Sequence, residues 1–141
     1  MITPKLASGI LGVWRLRLFE AHRDGLPVRH PFGRDAVGVL VYTADGTMSG
    51  QLMRPNRPAF GSATIVGGTD AELRAAATGY VAYGGTFEVD EARRVVLHRV
   101  TMSLFPNLVG TVQERTAALD GNTLELRTPD GARLVWERLT S

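Results

Sequence analysis

Four Asp-Gly pairs punctuate this chain, at Asp24-Gly25, Asp45-Gly46, Asp120-Gly121 and Asp130-Gly131, and most are flanked by segments in which apolar and polar residues alternate. Both residues tolerate the positive φ that a tight primed turn demands, so Asp-Gly between alternating runs signals an antiparallel hairpin. The first run, about Ile10 to Glu20, places Gly12, Trp14, Leu16 and Leu18 on one face and Val13, Arg15, Arg17 and Phe19 on the other. The face carrying Trp14 is expected to point inward. Val37 to Thr43 turns at Asp45-Gly46 onto Met48 to Met53, and Tyr83 to Asp90 pairs with Arg94 to Met102. Leu108 to Leu119, Thr123 to Thr128 and Arg133 to Leu139 complete a predicted set of eight strands. Short antiparallel strands joined mostly by hairpins in sequence order favour an all-β, up-and-down antiparallel barrel over a sandwich.

One stretch departs from this pattern. Arg54 to Ala63 (RPNRPAFGSA) is rich in proline and glycine, and it leads into Thr69-Asp70-Ala71-Glu72, where Thr followed three residues later by Glu is a capping box. Leu73, Ala76, Ala77 and Tyr80 then fall at helical spacing, which predicts one short helix over about 70–80, before the fourth strand. Its apolar stripe is expected to lie against the barrel or across its mouth.

Composition narrows the function. With 141 residues the chain has room for one domain, 1–141, and its 44% hydrophobic and 21% charged content is that of a globular protein. No apolar run approaches the ~18 residues that span a bilayer. The opening MITPKLASGILGVWRL is a poor signal peptide, so a cytoplasmic protein is expected. The absence of cysteine removes thiolate chemistry, and His22, His30 and His98 are scattered, so no metal site is expected. The net charge of +2 comes from dispersed arginines with no basic stripe, which argues against nucleic acid. No phosphate-cradling glycine loop opens a helix, and Ser49, Ser62 and Ser103 lack a G-x-S-x-G setting, so neither a nucleotide cofactor nor a serine hydrolase is expected.

Five segments, in order, carry a family resemblance: Gly12-Val13-Trp14, YTADGTMSGQLMRP (Tyr42 to Pro55), YGGTFEVD (Tyr83 to Asp90), SLFPNLVGT (Ser103 to Thr111) and LVWERL (Leu134 to Leu139). Together they resemble the bacterial and fungal lipocalin-like domain family of short intracellular proteins, over nearly the whole chain. The resemblance implies an eight-stranded calyx with one helix. Wider relatives bind apolar small molecules, and some such barrels are cofactor-free cyclases, isomerases or lyases in natural-product pathways; no catalytic set carries over. It also implies a structural role for Trp14, closing the barrel floor beneath an arginine from a late strand, for which Arg138 and Arg115 are the candidates.

The remaining site residues are weighed on their own chemistry. His98 shares a strand face with Val96, Val100 and Met102, but Val95 and Leu97 make the opposite face apolar as well, so either face can be the interior one; if it is inside the barrel, His98 is either a general acid or base or a hydrogen-bonded core residue. Gln113 and Arg115 share a face, and a buried Arg115 needs Glu137 or Glu88 as partner, or else an anionic ligand oxygen. Tyr42, Gln51, Met53 and Tyr83 are candidates for the upper wall. Arg54 and Arg57 flank prolines at the expected rim, where they either gate entry or belong to a stiff surface connection. Three readings follow: a barrel binding a small, largely apolar molecule; a cofactor-free isomerase, cyclase or lyase using His98, Arg115 and Tyr83; or a filled barrel acting through its surface. A homodimer is compatible with all three.

Overall fold

The computed structural model describes residues 5–140. Eight strands close into one antiparallel barrel in sequence order: β1 (Gly12–Ala21), β2 (Val37–Tyr42), β3 (Thr47–Met53), β4 (Tyr80–Asp90), β5 (Val95–Ser103), β6 (Val112–Asp120), β7 (Thr123–Arg127) and β8 (Ala132–Arg138). The ring shuts where β1 pairs with β8, Trp14 facing Arg138 and Leu16 facing Trp136. Closure leaves no unpaired sheet edge, which is what makes an all-hairpin chain of this length self-sufficient. Three of the expected turns appear with glycine in the positive-φ region, at Gly46, Gly121 and Gly131, as direct links between strands. Asp24-Gly25 instead turns the chain into a single bridge between Ala21 and Arg29, ahead of a longer connection to β2.

Alternation holds at the start of β1, where Trp14 and Leu16 are buried and Val13, Arg15 and Arg17 are exposed. A register shift between Leu16 and Leu18 then breaks it. An extra residue in one strand rotates everything beyond it by one face, so Phe19, expected outside, packs against the core and meets Phe32 edge-on with ring centroids 5.5 Å apart. The same happens across β4 and β5, whose register shifts between Gly84 and Gly85. Val96, His98 and Val100, which alternation sets on one face, are all buried, as is Val95 at the strand's start, but Met102 lies beyond the shift and is exposed.

Two further expectations are corrected. Helix α2 (Asp70–Thr78) carries the full capping box, with Thr69 Oγ1 accepting from Glu72 N and Glu72 Oε1 accepting from Thr69 N, yet none of its residues is buried. Its stripe is mostly alanine, which has little apolar surface to hide, and Tyr80 already belongs to β4. The sixth strand begins at Val112 and not near Leu108, because Pro106 opens a 3-10 turn and Gly110 takes φ 86°. A short helix that sequence periodicity did not reveal, α1 (Leu6–Gly9), brings Leu6 and Ile10 to full burial in the core. Its first backbone N–H groups, on Leu6 and Ala7, donate to the Glu91 carboxylate at 2.8 and 2.9 Å. That supplies the partners a helix start lacks.

Candidate ligand-binding cavity

Trp14 anchors the closed end of the barrel. It is fully buried, donates from Nε1 to Ile10 O at 2.8 Å, and lies beneath the Arg138 guanidinium, whose carbon is 4.3 Å from the ring centroid. Arg138 also donates to the carbonyls of Leu11 and Gly9, tying β8 to the last residue of α1 and to the segment beyond it. Of the two candidate arginines, then, Arg138 covers the indole and Arg115 is left to another task.

Above this floor the barrel is not filled. A cavity of about 440 Å³ runs through it to a rim formed by Thr128, Pro129 and Asp130 in the turn between β7 and β8. Much of its wall is apolar: Phe19, Leu40, Met48, Leu52, Val81, Leu126, Leu134 and Trp136. The polar groups gather on one arc, with Tyr83 from β4, His98 from β5, and Gln113 and Arg115 from β6. Neighbouring strands supply this arc because β5 sets His98 opposite Phe87 of β4 on one side and Gln113 of β6 on the other.

His98 is bonded on both ring nitrogens. Tyr42 Oη lies 2.6 Å from Nε2 and Tyr83 Oη lies 2.6 Å from Nδ1. Burial, with the positive charge of Arg115 adding to it, lowers the His98 pKa to about 3, so the ring is neutral near physiological pH. A neutral imidazole has one N–H and one lone pair, so one tyrosine donates to it and the other accepts. Tyr42 is buried and, among the described residues, His98 is its only hydrogen-bond partner. If Tyr42 accepted, its own hydroxyl proton would be stranded in the core at a cost of about 1–3 kcal/mol. The arrangement without that cost has Tyr42 donating to Nε2 and Nδ1–H donating to Tyr83. The Tyr83 hydroxyl proton is then free to face the cavity. Burial pushes both tyrosines up from their ordinary value, and Arg115 opposes that push.

Arg115 has neither of its expected partners. Glu88 pairs with Arg99 at 2.8 Å and Glu137 with Arg15 and Arg17 at 3.4 and 3.2 Å. Among the described residues no carboxylate lies within ion-pair distance of Arg115, which donates from Nη1 to the carbonyl of Glu114 at 2.8 Å. Gln113 Nε2 donates to Thr111 Oγ1 at 2.8 Å.

Other sequence candidates fall elsewhere. Met53 is not a lining residue: Leu52 takes the inward position and alternation sends Met53 to the other face. Gln51 is among the lining residues, although it is largely exposed and accepts from the Tyr80 hydroxyl. Tyr42 stands behind His98 and does not line the cavity itself. Arg54 and Arg57 brace the connections at the open end, donating to Pro31 O at 2.6 Å and Ala76 O at 3.1 Å and stacking over Phe32 and Tyr80. Sequence reasoning missed Phe19, hidden by the bulge, and Trp136, although Leu134 and Trp136 share one face of LVWERL and could have been read together.

The model of the lipocalin-like domain matches residues 11–140, all eight strands included. This chain belongs to the lipocalin-like domain family. Among curated proteins, the chain is similar to the 4'-hydroxy-3'-methoxypropiophenone carrier protein of Aspergillus oryzae, 42% identical over 87 residues, covering 57% of this chain and 78% of the relative. Among solved structures, the lipoprotein YedD from Klebsiella pneumoniae aligns over 99% of this lipocalin-like chain and 82% of its own, at 12% identity and a TM-score of 0.45. At that distance the likeness bears on neither site nor function. No helix among the described residues is long and apolar enough to cross a membrane.

Proposed function

We propose that this lipocalin-like barrel binds one small, largely apolar, aromatic molecule in its cavity and carries it within a natural-product pathway. The observation that carries the reading is the cavity itself. Its volume of about 440 Å³ falls in the ~300–1,000 Å³ range of small-molecule sites. A mostly apolar wall with most of its polar side chains on one arc suits a flat hydrophobic ligand bearing one or two oxygens. The Aspergillus relative's name, a carrier of an aryl ketone, supports the same class of cargo. In this reading the protein acts in the cytoplasm, which cell fractionation checks.

A second reading, a cofactor-free isomerase, cyclase or lyase, draws on the Tyr83 hydroxyl and Arg115, because two donors side by side stabilise an oxyanion formed from a carbonyl. His98 is a poor base for such chemistry, since burial holds it near 3 and both nitrogens are engaged. In that reading Tyr83 and Arg115 do the work and His98 orients Tyr83.

The test pairs a neutral fluorescent dye, Nile red, with 4'-hydroxy-3'-methoxypropiophenone. Binding predicts dye fluorescence that rises with protein and falls as the ketone displaces it, with the ketone recovered unchanged by chromatography. Chemical conversion of the ketone would favour the enzyme. Failure of the dye and the ketone to bind removes both readings.

A further inference from the structure

We infer that the cavity takes its ligand as an anion, an ionised phenol or enol whose oxygen sits between Arg115 and the Tyr83 hydroxyl, with a second, neutral acceptor on the same molecule reaching Trp136 Nε1. This rests on the binding reading above and names the chemistry of its ligand.

The first half follows from the charges around the polar arc. Arg115 lines the cavity with no carboxylate within ion-pair reach among the described residues. A guanidinium has five N–H donors, and the bond to Glu114 O and the one toward the Tyr83 hydroxyl oxygen leave others uncommitted. His98 adds no charge, and its bonds to the two tyrosines turn the Tyr83 proton toward the cavity. Gln113 is neutral. Among the lining residues the only carboxylate is Asp130, which is exposed at the rim and accepts from the Thr128 hydroxyl. An apolar enclosure with one uncompensated cation and one poised hydroxyl donor favours an oxyanion over a neutral oxygen, because charge-assisted hydrogen bonds are about twice as strong as neutral ones. On binding, the ligand's O–H bond breaks heterolytically and the proton passes to bulk buffer; no residue of the cavity has to hold it.

The second half comes from a different wall. Trp136 is 3% exposed, lines the cavity, and its Nε1–H has no acceptor among the described residues. A buried N–H of this kind is worth about 1–3 kcal/mol to any partner that satisfies it. Trp136 stands on β8 and Tyr83 on β4, four strands away around a ring of eight, hence on the facing wall. One ligand with acceptors at both ends answers both.

The experiment mixes the full chain with 4'-hydroxypropiophenone, whose phenolate absorbs at longer wavelength than its phenol. The buffer is set about one pH unit below the free phenol's midpoint, where about a tenth is ionised. Saturating protein is expected to convert most of the bound phenol to phenolate, an increase of about fivefold or more in the phenolate band. Arg115→Met, checked for fold by circular dichroism, and Tyr83→Phe should each reduce that band. Trp136→Phe should weaken the ketone by more than it weakens 4-propylphenol, which lacks the second acceptor. A bound phenol that stays neutral in the wild-type protein overturns the anion, as does Nile red binding without phenol binding, and either leaves the cavity reading standing. If neither Nile red nor the phenol binds, the cavity reading itself fails and the inference with it. Equal weakening of ketone and propylphenol by Trp136→Phe overturns the second contact.

Discussion

His98 makes the fold sensitive to acid in a window of its own. Its folded pKa of about 3 lies below its ordinary value of 6.5, so between those values the unfolded chain binds a proton that the folded chain refuses. The stability His98 allows is therefore complete above pH 6.5 and is lost progressively as pH falls toward 3. The expected slope is about 1.4 kcal/mol per pH unit. Glu20, Glu91 and Glu125, whose pKa values are lowered, contribute in the same direction only below their ordinary 4.5. Urea unfolding at pH 6.5, 5.5 and 4.5 should show the wild-type slope flattened by about that amount in His98→Gln. Equal slopes would mean the ring is already protonated in the native protein. At the other end of the barrel, Arg138→Met removes the stack on Trp14 and two carbonyl bonds. A loss of about 1–3 kcal/mol is expected in the same assay.

At the scale of elements, closeness of backbone separates two glycines that look alike in sequence. A Cβ on Gly85 would lie 1.9 Å from the Arg99 carbonyl oxygen, at the register shift that turns Met102 outward. Gly85→Ala must push β5 away and should cost about 2–3 kcal/mol. A Cβ on Gly61 meets nothing within 4 Å, and Gly61→Ala should stay within about 0.5 kcal/mol of wild type. Helix α2 offers the opposite case, a well-formed local motif with no buried residue. Thr69→Ala removes the cap and should lower local protection of the helix amides by about 1 kcal/mol in hydrogen exchange, while the global unfolding midpoint hardly moves. A large fall in global stability would show that α2 is coupled to the barrel.

Across the whole molecule, closure and hollowness go together. Eight strands leave an interior just wide enough for side chains to fill or for one small ligand, and here the side chains stop short, leaving about 440 Å³ open. A cavity lined by residues from most of the strands couples occupancy to the entire fold. Ligand at a hundredfold excess over its Kd should therefore add about 2.7 kcal/mol to unfolding. Thermal melts with and without 4'-hydroxypropiophenone check this, and an unchanged midpoint at saturation would mean that the ligand binds the folded and unfolded chains alike.

The sequence alone determined the strand count, three strand-linking Asp-Gly turns, the α2 cap and the inward face of Trp14. All of these are local, set by period-two alternation or by residues within a few positions of one another. Tertiary structure decided the rest. Alternation says nothing of where one extra residue slips the register, so Phe19 and Met102 changed faces at bulges that exist only between paired strands. Composition names too many arginines to show which covers Trp14, and only barrel closure, bringing β8 beside β1, gave that place to Arg138 and left Arg115 facing the cavity.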